Sequence, residues 1–281
     1  MIGIVDVGGG NRDIYGAGVL DYCLDHNIQV DYFIGVSAGS ANGVSYIGKQ
    51  KKRNYSFYNE YSFRSKYKGL CQWLLHGSFI NLDYIYSTLS NSDGENPVDY
   101  ETFMRNPTKL EIVATNAVTG EAVYFQKRDM KKDQYEFLKA SSCVPIACKP
   151  YEIDGIKYYD GGIGDPIPFL KAFEAGCDKV IIILTRPKYF YRNDKMDAKL
   201  SKFIERKYPK AAHGLRTRST VYNHSLEEAL RLEKEGKVLI LAPNEVSEFD
   251  IFSKNHGKLD LLYEKGYYDA RFIRDFIEDN K

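Results

Sequence analysis

The chain has 281 residues, 43% of them hydrophobic and 27% charged, with a formal net charge of +1. That balance suits one globular α/β domain and argues against disorder, collagen-like repeats, coiled coil and a dedicated nucleic-acid binder. Cys23, Cys71, Cys143, Cys148 and Cys177 are odd in number and form no C-x-x-C pair, so they read as free thiols rather than a zinc or redox site.

The opening MIGIVDVGGG lacks a cationic start and a small-residue cleavage site. No apolar run reaches the ~18 residues that a membrane span needs. A cytoplasmic protein is therefore expected, touching the inner face of a membrane at most peripherally.

In chain order, residues 2–7 are an apolar run ending in glycines, which predicts a buried parallel strand feeding a tight loop. A helix is expected over 14–26, a strand over 30–34 and, after a Gly-flanked turn, a small-residue helix over 40–48. This β-α-β-α alternation predicts a parallel sheet with right-handed crossovers and a ligand site at the carboxyl ends of the strands.

Residues 55–90 have no clean period and are dense in Tyr, Phe, Trp and Leu, which predicts irregular helices over the sheet. Strands are expected at 109–115 and 121–125, and a helix at 133–142. Asp154-Gly155 joins strands 151–153 and 156–159 as a two-residue hairpin. A helix over 168–175, a strand over 179–184, helices over 195–207 and 219–235, a strand over 238–241 and a last helix over 268–279 complete the chain. The expected organisation is a core over 1–190 and an extension over 191–281 packed on the same domain.

Gly35-Val36-Ser37-Ala38-Gly39 is a G-x-S-x-G set between a strand and a helix. Such a turn crowds the backbone at the serine, and Gly35 and Gly39 remove Cβ atoms that would clash. It also puts the Ser37 hydroxyl near a helix N-terminus, where unpaired N–H groups favour developing negative charge.

Gly8-Gly9-Gly10-Asn11-Arg12 follows the first strand. A dinucleotide fingerprint would need glycine at position 13 and an acid closing the second strand, whereas Asp13 stands there and Asp31 opens that strand. An oxyanion loop explains the glycines better, because their N–H groups can point together at a carbonyl oxygen, with Arg12 as added positive charge. Asp160-Gly161-Gly162 likewise follows a strand, which puts its carboxylate at the edge where Ser37 is expected.

These three motifs, in this order, resemble the patatin-like phospholipase family, most strongly over residues 2–187. The resemblance implies a three-layer α/β/α fold with a mostly parallel central sheet. It further implies that Ser37 attacks an ester carbonyl of a lipid or other acyl ester, that Asp160 takes its proton, and that amides of the Gly8 to Gly10 loop hold the oxyanion. No metal or cofactor is expected. The family's loop closes on a further glycine where this chain has Asp13, whose carboxylate would either cap the following helix or repel the oxyanion.

A carboxylate is a weak base for a serine hydroxyl unless desolvation raises its pKa, so a Ser-His-Asp triad is the alternative to the dyad. His213, His224 and His256 follow Asp160 in the order such a triad uses. None sits in a recognisable loop after a strand, and the dyad is the reading favoured. A non-catalytic lipid-binding protein on the same fold is the rival, for which Asp13 is the one hint.

Two basic stretches lie within the near-neutral whole. Residues 49–68 hold seven Lys or Arg against Glu60, and residues 199–218 hold seven against Glu205. Each reads as a solvated face or as a contact for anionic lipid head groups. Trp73, Leu74 and Leu75, beside the first stretch, are expected either in a lipid-facing lid or in a packing layer.

Overall fold

The computed structural model describes residues 1–244 and 255–279. An eight-stranded sheet is built from β1 (Ile2–Asp6), β2 (Tyr32–Val36), β3 (Lys109–Asn116), β4 (Ala122–Gln126), β5 (Tyr151–Ile153), β6 (Ile156–Asp160), β7 (Lys179–Ile183) and β8 (Val238–Leu241). Its order is β5-β6-β3-β2-β1-β7-β8, with β4 also on β3. The run from β3 through β2, β1 and β7 to β8 is parallel, and β4, β5 and β6 pair antiparallel. Asp154 and Gly155 both take positive φ, as the predicted hairpin turn requires.

Eleven α-helices occur among the described residues. The first six are α1 (Ile14–Asp25), α2 (Ala38–Ile47), α3 (Arg53–Asn59), α4 (Leu70–His76), α5 (Tyr100–Arg105) and α6 (Glu136–Ser141). The others are α7 (Phe169–Glu174), α8 (Lys195–Ile204), α9 (Pro209–Lys234), α10 (His256–Asp269) and α11 (Phe272–Glu278). They cover both faces of the sheet. Ile4, Phe33, Ile181 and Ile183 point to a core shared with α1, α2 and α10, while Val5, Ile34, Val180 and Ile182 point to one shared with α7 and α9. Successive strand residues thus feed opposite cores, which is why these strands read as continuous apolar runs.

Two expectations in the C-terminal part are corrected. The helix expected over 219–235 begins ten residues earlier, at Pro209, whose missing N–H costs nothing in a first turn. The helix expected over 268–279 is the end of α10, a break at Ala270 and Arg271, and then α11. Asn255 caps α10 by accepting from Lys258 N at 3.0 Å, and Tyr15 to Asp269 and Tyr263 to Asp21 hydroxyl bonds tie α10 to α1.

The basic stretch over 49–68 is not one solvated face. Arg53 and Lys68 are buried, Arg64 pairs with Glu95, and Lys51 pairs with Asp25. Leu70, Trp73, Leu74 and Leu75 on α4 are instead exposed, at 74%, 54%, 77% and 74%, so they form no packing layer.

Candidate active site

The sheet register brings the separate motifs together. Val36 of β2 pairs with Val113 of β3, and Asp160 of β6 pairs with the next residue, Ala114. Since β4 occupies the opposite edge of β3 over Glu111 to Thr115, β2 and β6 must share one edge, with β6 beginning where β2 stops. Ser37, the residue after Val36, therefore meets Asp160.

Ser37 has φ 55° and ψ −125°, a conformation that costs a non-glycine residue ~1–3 kcal/mol and is held by its surroundings. The Ser37 N–H donates to Ser141 Oγ at 2.8 Å, and Ser141 Oγ also meets Ser40 Oγ at 2.9 Å. Ser141, at the end of α6, thus clamps the elbow. It is one of the residues that no sequence motif singled out.

Asp160 is buried, and loss of solvent pushes its carboxyl above the usual carboxylate range. The Arg218 guanidinium, the Ser37 hydroxyl, the Gly162 N–H and Arg192 act the other way. Gly162 N donates to Asp160 Oδ1 at 2.9 Å, fixing the carboxylate in its turn. His213 and His224 are exposed, and His256 bonds Asn59 through Nδ1 at 2.8 Å while stacked on Phe63.

Gly8, Gly9, Gly10, Asn11 and Arg12 all line the cavity that holds Ser37 and Asp160. Their roles in the loop differ. Gly8 N donates inward to Asp6 Oδ1 at 3.1 Å, and Gly8 O accepts from Thr185 Oγ1 at 2.6 Å, so this residue anchors the loop. Gly9 and Gly10, at φ 146° and 60°, carry the amides that have no backbone acceptor among the described residues. Asn11 Nδ2 donates to Ser62 Oγ at 3.2 Å. Gly35, Gly39 and Gly161 do not line the cavity. They let Ser40, the Asp6 backbone and the Val113 carbonyl approach closely.

Asp13 does not cap the following helix with its side chain. Its carboxyl turns into the interior toward Asp6. Burial and the Asp6 charge push Asp13 well above the usual carboxylate range, and burial pushes Asp6 up to about 6. In both carboxyls burial thus favours the protonated form over the charged one. Asn42 Nδ2 braces the pair by donating to Asp6 Oδ2 at 3.0 Å and Asp13 O at 3.1 Å.

The cavity holds about 450 Å³, within the range of small-molecule sites. One part of its lining is apolar, with Phe57, Leu82, Ile85, Leu138 and Val144. Another is cationic, with Arg12, Arg186, Arg192 and Arg218. Only Arg12 among these was marked by a motif. Arg218 comes from the basic stretch over 199–218, which read as a solvated face or a lipid contact, and nothing in the sequence singled out Arg186 or Arg192.

With this geometry in view, the match of a patatin-like phospholipase family model to residues 7–173 has its explanation in the loop, elbow and Asp160 turn. The chain belongs to the patatin-like phospholipase family. A second model, of a domain of unknown function named DUF6363, matches residues 208–279. The Escherichia coli protein YjjU, itself uncharacterized, is 25% identical over 208 residues, which are 72% of this chain and 57% of that protein. The Mycobacterium bovis NTE family protein Mb1092c is 31% identical over 77 residues, 27% of this chain and 20% of that one. The chain thus spans little more than half of the first relative and a fifth of the second. VipD from Legionella pneumophila shares the fold at a TM-score of 0.54, with 15% identity over 97% of this chain and 66% of VipD.

Proposed function

We propose that the protein is a serine acyl hydrolase acting on acyl esters of lipids through a Ser37–Asp160 dyad. The observation that carries this reading is the strained Ser37 with its hydroxyl beside a buried Asp160 in the lining of one partly apolar cavity. Ser37 Oγ attacks the ester carbonyl and gives its proton to Asp160, whose burial makes it a stronger base than a solvated carboxylate. The amides of Gly9 and Gly10 receive the oxyanion as the carbonyl loses its trigonal geometry. The C–O bond to the alcohol breaks, and Asp160 returns the proton to the leaving oxygen. Water, deprotonated by Asp160, then cleaves the acyl-enzyme and restores the Ser37 hydroxyl.

Substrate delivery fits a peripheral membrane contact through α4. That helix rides on a loop pinched by the Lys68–Ile80 bridge, and the residues flanking it, Tyr67, Lys68, Ile80 and Leu82, line the cavity. Its exposed Leu70, Trp73, Leu74 and Leu75 would enter the head-group region and bring the cavity to the lipid.

The test is labelling by a fluorophosphonate together with hydrolysis of short and long acyl esters. Wild type is expected to label and turn over, Ser37→Ala to do neither, and Asp160→Asn to lose about 10³-fold or more in turnover. A folded wild type that neither labels nor hydrolyses would instead make this a lipid-binding protein.

A further inference from the structure

Arg192 and Arg218 share a single carboxylate outside the catalytic pair. Arg192 Nη2 lies 3.0 Å from Asp197 Oδ2, and Arg218 Nη1 lies 3.9 Å from Asp197 Oδ1. The Nε–H groups of both arginines are buried and find no acceptor among the described residues. Both side chains line the cavity, as do Arg12 and Arg186, and all four charges act on the Tyr222 hydroxyl. Arg218 also reaches the dyad: its Nη2 would stand 2.8 Å from a Cβ on Gly162, next to Asp160 Oδ1.

Withdrawing guanidinium groups from water is unfavourable unless an anion completes their bonding, and their planar forks match the oxygens of a phosphate. From this we infer that the cationic wall is a phosphate subsite, with Arg192 and Arg218 determining specificity for an acyl ester that carries its phosphate close to the scissile carbonyl. The inference rests on the hydrolase reading for its catalytic arm only. It also gives the C-terminal segment a part in the site, since Arg218 and Tyr222 stand on α9, within the region that DUF6363 matches.

The test compares 1-palmitoylglycerol 3-phosphate with 1-palmitoylglycerol, which differ only in the phosphate. Wild type is expected to favour the phosphorylated ester about tenfold or more in kcat/KM, and Arg192→Gln or Arg218→Gln to remove most of that preference. The loss should fall on KM for the phosphorylated ester in Arg192→Gln, with partial rescue by Arg192→Lys.

A second arm needs no turnover: calorimetry of glycerol 3-phosphate with the Ser37→Ala protein, expected to show saturable binding that Arg192→Gln, folded by circular dichroism, abolishes. Equal kcat/KM for the two esters, without glycerol 3-phosphate binding, would overturn the subsite and leave the hydrolase reading intact. Arg192-dependent binding without hydrolysis of either ester would do the reverse. Inorganic phosphate bound as tightly as glycerol 3-phosphate would overturn the lipid head group as the occupant.

Discussion

Asp13 buries its carboxyl against that of Asp6, directly behind the glycine loop and the nucleophile elbow. Asp6 touches each part of that frame. It accepts from Gly8 N in the loop and from Asn42 on α2, and Gly39 packs on its backbone. Tyr58 on α3 completes the surround, donating to Asn42 Oδ1 at 3.0 Å and facing Asp13, with Arg12 as the nearby cation.

A pH dependence of stability follows from the sign of these shifts. Both folded pKa values lie above the unfolded one, so the stability they contribute is fully present below about pH 4 and is lost as pH rises through about 6 for Asp6 and through the raised value of Asp13. Asp13→Asn keeps the shape and stays neutral. It is expected to be more stable than wild type at pH 8 and to flatten the decline between pH 5 and 8. Thermal melts across that range check it, and parallel curves for the two proteins would refute it.

Asp160 governs a second pH effect. Burial holds its pKa above the ordinary carboxylate range, so the acid limb of the turnover profile should lie above that range. Arg218 supplies the largest opposing influence, and Arg218→Gln should move the limb to still higher pH on a neutral ester. A limb that stays in place in the variant would mean that Arg218 does not tune the base.

Two glycines with similar backbone angles should respond differently to alanine. Gly155, at φ 78°, has open space where a Cβ would sit, and Gly155→Ala is expected to cost about 1 kcal/mol with activity retained. Gly8, at φ 67°, would drive its Cβ into the Val36 carbonyl, behind Ser37. Gly8→Ala should therefore cost more in denaturant melts and lower turnover by about tenfold or more. Equal effects of the two changes would show that the loop is not braced on the elbow.

The exposed face of α4 gives a membrane test. Leu74→Ser with Leu75→Ser removes apolar surface that makes little contact within the fold, so the melting temperature should change little. Binding to liposomes should weaken several-fold. Unchanged sedimentation with vesicles would place the contact elsewhere.

Much of the frame was legible because its signals are local. The buried strands β1, β2 and β7 read as apolar runs, and the turns at Ser37, Asp154 and Asp160 each bring their own glycines. The start of α9 was hidden because residues 209–218 are rich in basic side chains and contain Gly214, which weakens a helical pattern. Arg218 was hidden for a related reason, since a charge in a basic stretch reads as solvated until the fold turns it inward.

The amino-acid sequence by itself determined the strained elbow at Ser37, because the crowding that exposes a serine there depends on glycines within two residues of it. It also determined the open glycine loop and the Asp160 turn. Only the tertiary structure decided that these belong to one site, since Asp160 reaches Ser37 by pairing on the stretch of β3 that β2 leaves vacant. Only the tertiary structure, likewise, paired Asp13 with Asp6 and brought Arg218 to Asp160. Each of these meetings is a contact between elements whose register is set by sheet pairing and helix packing across the whole domain, where no local pattern reaches.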